Sequence, residues 1–405
     1  MRALFLTHYF PPEVGAPQTR IAALARGLRE RGIEVTVHTG FPNYPEGRIS
    51  PPYRNRPLQR ERTPDGTRIV RSAVYAAPNA GFGRRVANHT SFAVSALLTA
   101  PATGSADVVV AESPPLFTAG TAVAYARTKR APLVLNAADL WPDSAVAIGA
   151  LSGRRAIAAA RALEEWSYRH AAAITVPTQG MVNRLEARAS ATGRVVHMPP
   201  AVDVERFAGL APAAAGDGPL RVLYAGTIGL AHGLGTLLSA AQLAGPDAVH
   251  VTIAGGGAEA RQLRARVKAE RIGNVELIGT VPAERVPTLF ADAHAGVVML
   301  RDRELFADAL PNKLLECMAA GRPVLLSARG GSAALVEAAQ AGLALPPEDA
   351  EALAAAFRTL AAAPERRARM GAAARAAVRD LYTRRVSVDR WARLLERVAA
   401  QQALR

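Results

Sequence analysis

Two carboxylates eight positions apart, Asp308 and Glu316, enclose a run of residues suited to holding a phosphorylated ligand. A helix is predicted to begin near Pro311, because a proline at the first helical position has no N–H to lose. The backbone N–H groups of the first turn, together with Lys313, form a seat for a diphosphate. Asp308, in the preceding loop, and Glu316, one turn into the helix, could then accept hydrogen bonds from sugar hydroxyls. An acid before a helix with an exposed face is the alternative interpretation.

Two glycine-rich loops follow apolar, strand-like runs in the same half of the chain. Gly226 and Gly229 come directly after one strand, and residues 254–259 contain three glycines after the next. Such turns let the backbone approach a phosphate, which the N-terminus of the following helix then binds. The glycines do not match G-x-G-x-x-G, and no G-x-x-x-x-G-K-[ST] occurs, which argues against a plain dinucleotide or P-loop site. The second loop could equally be a tight turn.

A comparable loop follows the first strand of the chain. It runs from His8 to Gln18, and Gly15 in it would allow a ligand to approach the backbone closely. The helix predicted from Thr19 offers free N–H groups to an anion. A structural turn explains this loop as well when it is considered alone.

These loops require alternating strands and helices to position them. In the first half, strands are predicted at 3–7, 34–38, 68–74, 107–111, 132–136 and 173–176, with helices at 19–31, 91–100, 119–130 and 154–169. In the second half, strands are predicted at 220–225, 250–254, 275–278, 295–299 and 323–327, with helices between them and helical sequence to the end. Short apolar runs such as Val108-Val109-Val110 are typical of buried parallel strands.

The pattern predicts an α/β protein with two Rossmann-like, doubly wound domains. A Pro-, Ala- and Gly-rich stretch without periodicity separates an N-terminal domain (1–200) from a C-terminal domain (219–385), with a linker at 201–218. A final helix at 386–405 could cross back to the first domain. Two such domains facing each other would form an interdomain cleft, lined by the loops that follow the strands.

Composition and charge limit the classes of function. The 405 residues are 50% hydrophobic and 5% aromatic, and the single cysteine, Cys317, excludes a disulfide framework. No signal peptide or apolar run long enough to span a bilayer is recognised. The net charge is +15, and residues 1–200 carry 24 Lys and Arg against 13 Asp and Glu. Such an excess attracts nucleic acid, anionic lipid or phosphorylated substrates, although a solvated basic surface is the simpler alternative.

The run from Asp308 to Val324 resembles the E-x7-E element of retaining glycosyltransferases of family 4, which have the GT-B fold, with Asp308 in place of the first glutamate. Five further stretches resemble that family in the same order along the chain: Tyr9-Phe10-Pro11-Pro12 with Gly15, residues 24–37, Asp139-Leu140-Trp141-Pro142-Asp143, residues 199–207, and Gly279-Thr280-Val281-Pro282. The Asp139–Asp143 and Leu310–Lys313 stretches are most similar to the subgroup that adds N-acetylated amino sugars during polysaccharide or O-antigen assembly.

The resemblance implies roles for individual residues of the second domain. Asp308 would contact hydroxyls of the donor sugar, and Glu316 would contact the ribose of the nucleotide. Val281 would meet the base edge. The diphosphate would be lined by the backbone of Ala309, Leu310 and Asn312, with the loop from Gly226 to Gly229 opposite. In the first domain, Gly15 would lie under the donor phosphate and Asp139 near the reacting carbon.

The sequence departs from the family at positions that matter for charge. Many relatives have an arginine after the glycine that matches Gly226, and a lysine further along the loop, where Thr227 and His232 stand here. The leaving diphosphate would then be neutralised by Lys313, by helix N-termini, or by Arg301 or Arg303. A histidine is common before the position of Asp139, where this chain has an alanine.

The resemblance implies a front-face, retaining transfer from a nucleoside-diphosphate sugar, with UDP favoured, no cofactor and no metal. We expect a polyprenyl-diphosphate-linked or saccharide acceptor. We also expect a cytoplasmic protein, peripheral on the inner face of the cytoplasmic membrane, and no nucleic-acid partner. The contact with anionic lipid is assigned to the apolar segment 92–98 and to a set of arginines: Arg48, Arg54, Arg56, Arg60, Arg62, Arg68, Arg71, Arg84 and Arg85.

Three alternatives are weighed against this expectation. A GT-B sugar-nucleotide 2-epimerase would share the architecture but lacks the Asp308 and Glu316 arrangement. A dehydrogenase would need the absent G-x-G-x-x-G. A basic nucleic-acid-binding protein would account for the charge, but interleaved aromatic residues are sparse and no known module is present.

Overall fold

Apolar runs in the first half of the chain form a twisted, largely parallel sheet. Its strands are β1 (Arg2–Leu6), β2 (Glu34–Gly40), β3 (Leu58–Arg62), β4 (Arg68–Ser72), β5 (Val108–Ser113), β6 (Leu133–Ala137), β7 (Ala173–Val176) and β8 (Val195–His197). Their spatial order is β3-β4-β2-β1-β5-β6-β7-β8, and all neighbours are parallel except β3 and β4. The central strands are mostly apolar and buried because helices cover both faces of the sheet.

The computed structural model describes residues 1–13, 15–44, 46–77, 82–147, 149, 151–211 and 218–403. These residues form two units: the first unit comprises 1–199 and 384–405, and the second unit comprises 200–383. The helices of the first unit before its last segment are α1 (Ala16–Glu30), α2 (Phe82–Thr99), α3 (Leu116–Lys129), α4 (Asp143–Ala147), α5 (Arg154–His170) and α6 (Gln179–Glu186).

The second unit contains a parallel sheet with a Rossmann strand order. Its strands are β9 (Leu220–Ala225), β10 (Val249–Ala254), β11 (Val275–Gly279), β12 (Ala295–Met299), β13 (Val324–Ser327) and β14 (Gly342–Leu345), in the order β11-β10-β9-β12-β13-β14. The direction of winding reverses between β9 and β12. Ligands of doubly wound sheets bind beyond the carboxyl ends of the strands at this reversal.

Helices cover both faces of this second sheet. They are α7 (Leu234–Ala244), α8 (Ala260–Ala269), α9 (Val286–Asp292), α10 (Asn312–Ala319), α11 (Gly331–Ala338), α12 (Ala350–Ala361) and α13 (Pro364–Leu381). Apolar side chains such as Leu237 and Phe357 on one face, and Leu314 and Met318 on the other, are buried against the strands.

The last helix, α14 (Arg384–Ala403), belongs to the first unit although it follows the second along the chain. Trp391 and Leu395 are buried in one core with Leu24 and Leu28 of α1. At the edge of this contact, Arg31 Nε donates to an Asp389 carboxylate oxygen at 2.8 Å. The predicted final helix, 386–405, lies within this element as far as Ala403, and residues 404–405 lie outside the described residues.

The structure differs from the sequence-based expectation in several segments. Residues 342–345, predicted as helical, form the edge strand β14 because they pair with β13. Strands β3 and β8 were not predicted. Val202 and Phe207, in the predicted linker, are buried in the core of the second unit, whereas residues 212–217 of that linker lie outside the described residues.

Candidate functional site

The glycine loops after β9 and β10 interlock. Gly226 N donates to Ala254 O at 2.9 Å, and Ile228 N donates to Gly256 O at 2.8 Å. A Cβ on Gly255 would lie 1.8 Å from Gly226 O, and Gly255 has a φ of +155°. Only glycine permits this approach and this backbone conformation. The three glycines after β10 are therefore more than a tight turn, because they fix the loop that contains Gly226 and Gly229.

The predicted base-binding loop lies beside the same glycines. It follows β11, and Gly255 N donates to Gly279 O at 2.7 Å. Val281, two residues further on, is half-buried and packs at the edge of the adjacent core. The carboxyl ends of β9, β10 and β11 thus bring together three loops that the sequence singled out separately.

Lys313 lies against Gly226, at the start of the loop that follows β9. A Cβ on Gly226 would lie 3.3 Å from Lys313 Nζ. Nζ donates to Tyr224 Oη at 2.6 Å and lies 4.5 Å from the centre of the Tyr224 ring, and Oη in turn donates to the Thr227 carbonyl at 2.6 Å. Burial lowers the pKa of Lys313 to about 7, opposed by the nearby Glu316 carboxylate. Removal of its proton is thereby easy at neutral pH.

His232 lies on the same loop but does not supply the charge of a lysine. Its Nδ1 is 3.3 Å from both the nitrogen and the carbonyl oxygen of Gly229. Burial, and then the neighbouring Lys313 charge, lower the pKa of His232 to about 4. The imidazole is therefore neutral at pH 7, which leaves Lys313 to provide the positive charge here.

The predicted diphosphate seat is built on the turn before α10. Pro311 is the N-cap rather than the first helical residue, and Asp308 closes a 3₁₀ turn, Glu304–Asp308, rather than lying in an open loop. Gly330 holds this turn, because a Cβ there would lie 2.1 Å from Ala307 O at a φ of +74°. Ser332 Oγ donates to Ala309 O at 2.5 Å.

That turn fixes the residues expected to line a diphosphate. Ala309 and Leu310 lead into the exposed Asn312, which begins α10. The N-terminal N–H groups of this helix lie on the same segment as Lys313, in accord with an anion site.

Glu316, on α10, is flanked by two cations. Its carboxylate lies 3.7 Å from Arg206 Nη1, and its side chain is 30% exposed. Burial raises the pKa of Glu316, while Arg206 and then Lys313 lower it. Sequence analysis missed Arg206, although it falls inside the 199–207 stretch that resembles the family. An acceptor of hydrogen bonds held between two cations suits binding of vicinal hydroxyls.

Arg301, suggested as a diphosphate ligand, instead binds two carboxylates and the loop after β9. Its Nη2 lies 2.9 Å from a Glu259 carboxylate oxygen, its Nη1 3.2 Å from Glu348, and its Nε donates to Leu230 O at 2.6 Å. With its donors committed, Arg301 holds the loop after β9 in place. Arg303 is exposed and donates to Asp302 O at 2.8 Å.

Gly15 and Asp139, the predicted site residues of the first unit, follow strands β1 and β6. Gly15 is the N-cap of α1, in extended backbone, and a Cβ there would lie 2.5 Å from Gln18 Oε1. Asp139 is exposed and accepts a hydrogen bond from Ser144 Oγ at 2.7 Å. Desolvation by the surrounding protein raises the pKa of Asp139, although Ser144 and the Leu140 N–H oppose this.

Sequence analysis also missed a series of hydrogen-bonded polar side chains at the same edge of the first sheet. Arg20 pairs with the Glu112 carboxylate, Asn136 Nδ2 donates to Glu112 at 2.9 Å, and Thr175 Oγ1 donates to Asn136 at 2.8 Å. The available signal was a carboxylate at the end of the apolar strand β5. These groups fix the strand ends from which the Asp139 loop departs.

Across the described ranges, no group of three or more His, Cys, Asp or Glu side chains is arranged to hold a metal ion. Within those ranges, no helix combines the length and apolarity that a membrane crossing requires.

The two halves of the chain match two family descriptions. Residues 15–201 match the glycosyl transferase 4-like domain, and residues 211–377 match the glycosyl transferases of group 1. With the two Rossmann-like sheets, these matches define a GT-B glycosyltransferase. The chain belongs to the group 1 glycosyltransferases of family 4.

Individual relatives agree with this assignment. The chain is 24% identical to a colanic acid biosynthesis glycosyl transferase, WcaI of Escherichia coli (strain K12), over 88% of this chain and 91% of the relative. It is 28% identical to the amylovoran biosynthesis glycosyltransferase AmsK of Erwinia amylovora over 45% of this chain and 46% of that protein.

Two solved structures share the fold along nearly the whole chain. Sucrose-phosphate synthase of Thermosynechococcus elongatus has a TM-score of 0.79 at 19% identity, covering 99% of this chain and 100% of that one. HepE of Anabaena in complex with UDP-glucose has a TM-score of 0.71 at 15% identity, covering 98% and 100%.

Proposed function

We propose that this glycosyltransferase moves a sugar from a nucleoside-diphosphate sugar, with UDP favoured, to a lipid-linked or saccharide acceptor, with retention at the anomeric carbon. The main support for this proposal is the arrangement of residues around α10. Asp308, the backbone of residues 309–312, Lys313 and Glu316 follow one another on a single rigid segment beside the Gly226 loop. This order matches the successive sugar, diphosphate and ribose of such a donor.

The proposed roles follow from charge and hydrogen bonding. The leaving diphosphate gains negative charge in an oxocarbenium-like transition state, and the α10 N–H groups with Lys313 are placed to stabilise it. Glu316 accepts hydrogen bonds from the ribose, and Asp308 accepts them from the transferred sugar. Asp139 is assigned to the reacting carbon, and the leaving phosphate takes the acceptor proton. No metal is part of this proposal.

The donor and the pathway class are supported by the relatives. HepE has been crystallised with UDP and with UDP-glucose, and TarM of S. aureus with UDP. WcaI and AmsK are named for the biosynthesis of two polysaccharides, and WaaG for lipopolysaccharide. We therefore place this enzyme in cell-surface polysaccharide assembly. The Asp139–Asp143 and Leu310–Lys313 stretches favour an N-acetylated amino sugar as the group transferred.

A membrane surface as partner is supported by the outer face of α2. Val94, Leu97 and Leu98 are 53%, 40% and 77% exposed on this helix, with the exposed Arg84 at its start. The remaining exposed arginines of the expected contact are Arg48, Arg54, Arg56, Arg60 and Arg62. Apolar side chains combined with basic ones suit an anionic lipid surface.

Two arginines of that expected contact instead interact with other residues of the first unit. Arg71 is 1% exposed, pairs with Glu61 and donates to Pro11 O at 2.6 Å. Arg68 lies 3.4 Å from Glu34. Phe92, at the start of the segment assigned to lipid, is buried in the first unit.

The test is binding followed by product analysis. UDP, GDP, ADP and dTDP are compared by thermal shift on the full chain, and UDP is expected to raise the melting temperature most. The UDP-sugar that binds is then incubated with a short-chain polyprenyl-diphosphate sugar, and the new linkage is examined by NMR. Transfer with retained anomeric configuration supports the proposal. Interconversion of free sugar nucleotides without transfer would identify an epimerase instead, and inversion would refute the retaining mechanism.

A further inference from the structure

Arg206 contacts two segments of the second unit that are expected to bind different parts of the nucleotide. Its Nη1 lies 3.7 Å from a Glu316 carboxylate oxygen on α10. Its Nη2 donates a hydrogen bond to Ala283 O, in the residue directly after the Gly279–Pro282 stretch. The strands that precede these two segments, β12 and β11, are separated by β9 and β10 in the sheet. One guanidinium therefore joins two segments whose strands are not neighbours.

The turn that carries Arg206 is anchored in the core of the second unit. Arg206 lies in a 3₁₀ turn, Val204–Phe207, and the Phe207 side chain is fully buried. The Phe207 ring meets the Phe290 ring of α9 edge-on, with ring centroids 6.1 Å apart. The guanidinium carbon of Arg206 lies 5.5 Å from the centre of the Phe207 ring, which favours a cation over the aromatic face.

The chain directly after this turn is held by two further arginines. Arg322, a buried residue, donates through Nη1 to Ala211 O at 2.8 Å. Arg375 Nη2 donates to Leu210 O at 3.0 Å. Because the backbone around Arg206 is fixed in this way, its side chain loses little further freedom when a nucleotide binds beside it.

The first contact of Arg206 acts on the charge of Glu316. Burial raises the pKa of Glu316, and Arg206 opposes this more strongly than Lys313 does. The side chains of Arg206 and Glu316 are 26% and 30% exposed, so solvent screens their attraction only in part. Arg206 therefore favours the ionised carboxylate, which only accepts hydrogen bonds and so suits the two hydroxyls of a ribose.

The second contact of Arg206 fixes the end of the predicted base-binding loop. Ala283 begins a 3₁₀ turn in which Pro282 is the N-cap. Val281, expected to meet the base edge, is half-buried two residues before Ala283. By holding Ala283 O, the Arg206 guanidinium sets where Val281 lies relative to Glu316.

We propose that Arg206 is a positioning residue that couples recognition of the base to recognition of the ribose in the nucleoside diphosphate. Its guanidinium sets the distance between the base-binding loop and the Glu316 carboxylate, so that both fit one nucleoside. A lysine carries its donors on a single nitrogen and does not reproduce two contacts that diverge from a planar group. The inference rests on the proposed function, since Glu316 must bind the ribose of the donor.

The experiment measures two affinity ratios by calorimetry on the full chain. The ribose ratio is the Kd of 2′-deoxy-UDP divided by the Kd of UDP, and the base ratio is the Kd of GDP divided by the Kd of UDP. We expect both ratios to be about ten or more in the wild type. If GDP is the tighter ligand, GDP and its 2′-deoxy form replace UDP and 2′-deoxy-UDP as reference.

Arg206 and Glu316 variants should change these ratios differently. Glu316→Gln should lower the ribose ratio and keep the base ratio, because the contact between Arg206 and Ala283 remains. Arg206→Gln should lower both ratios, each by about fivefold. In the double variant, the ribose ratio should equal that of Glu316→Gln alone, since Arg206 acts on the ribose through Glu316.

Two further arginine variants complete the experiment. Arg285→Gln is the matched control, because Arg285 is exposed in the same 3₁₀ turn as Ala283, and it should keep both wild-type ratios. Arg206→Lys keeps a positive charge near Glu316 and should restore the ribose ratio more than the base ratio. If Arg206→Gln is unfolded by circular dichroism, Arg206→Lys replaces it, and its base ratio decides.

The coupling is overturned if the Arg206 variant weakens all nucleotides equally, since a structural role alone would leave both ratios unchanged. A change in the ribose ratio with a wild-type base ratio would also overturn it, because Arg206 would then act on Glu316 only. Wild-type binding of UDP and GDP is recorded first. If the wild type binds neither, the result counts against the proposed function, whereas unchanged ratios with intact binding count against Arg206.

Discussion

Lys313 Nζ donates a hydrogen bond to Tyr224 Oη across 2.6 Å, although 89 residues separate them in the chain. The tyrosine is the second-last residue of strand β9 and the lysine is the second residue of helix α10, so the contact joins the two sides of the reversal point of the second sheet. It places a cation against Gly226, on a loop where Thr227 and His232 provide none. The positive charge beside Gly226 therefore comes from the neighbouring helix.

Donor binding is expected to take up a proton at Lys313. Its pKa is lowered to about 7 by burial, and a bound diphosphate favours the charged form and raises this pKa. UDP affinity should therefore fall, by up to about tenfold per pH unit, as the pH rises above 7. Calorimetry in buffers of different ionisation enthalpy between pH 7.5 and 9, where the diphosphate is fully ionised, measures the proton uptake.

The control for this experiment is Lys268→Met, which removes an exposed lysine on α8. Lys313→Met should bind UDP weakly and without linked protons, whereas Lys268→Met should keep the wild-type pH profile. Without a ligand, the pH acts in the opposite direction on the free energy of unfolding, because the unfolded chain holds a proton at Lys313 that the folded chain releases above pH 7. The contribution of Lys313 to stability should then rise with pH. A pH-independent UDP affinity in the wild type would remove Lys313 from the diphosphate site.

The two carboxylates of the α10 segment are expected to act on different parts of the donor. Glu316→Gln should weaken UDP itself at least tenfold, since hydrogen bonds to charged groups contribute about 1.5–3 kcal/mol. Asp308→Asn should leave UDP binding unchanged and lower kcat/KM for the UDP-sugar by a similar factor, because UDP lacks the sugar that Asp308 is proposed to contact. Glu337→Gln, exposed on α11, is the control. Equal effects of Glu316→Gln and Asp308→Asn on UDP would contradict the assignment.

The interlocked glycine loops are expected to tolerate no side chain at Gly255. Gly255→Ala would place a Cβ 1.8 Å from Gly226 O at a φ of +155°, so the two loops must move apart. Overpacking of this kind costs about 1–3 kcal/mol, and UDP affinity should fall together with the melting temperature. Gly273→Ala has open space around its Cβ and should change neither. Unchanged UDP binding in Gly255→Ala would show that loop geometry does not position the donor.

Much of the fold could be predicted from the sequence, because its central strands are buried on both faces. Such strands, for example Ala295–Met299, are apolar runs whose bounds can be read directly. The edge strands lack that signal. Residues 342–345 are half-buried within Ala-rich sequence, and Leu58–Arg62 contains three charges, so pairing with a neighbouring strand rather than propensity makes them strands.

The candidate site was predictable where motifs are local and not where contacts span the chain. Asp308 and Glu316 were singled out from the sequence because they lie on one short segment. Tyr224 looks like an ordinary core residue at the end of a strand, and its bond to Lys313 needs the folded sheet. Arg206 approaches Glu316 from 110 positions away, at 3.7 Å. Sequence spacing holds no information on such pairs.

Membrane attachment through α2 is the remaining expectation, and the chain contains its own control. Leu97→Asp with Leu98→Asp should abolish flotation with vesicles that contain anionic lipid, because these side chains are 40% and 77% exposed beside exposed arginines. Leu230→Asp with Leu243→Asp changes two leucines of the second unit that are 44% and 51% exposed, and should float like the wild type.

Salt separates the apolar from the ionic contribution to that attachment. Raising the ionic strength should release the wild type from anionic vesicles, since each arginine near the surface contributes about 1 kcal/mol at physiological salt. Arg54→Gln with Arg56→Gln should lower the salt concentration needed, while the leucine variant should not bind even at low salt. If the α2 and second-unit variants lose flotation equally, attachment does not depend on α2, and the exposed leucines of that helix serve another contact.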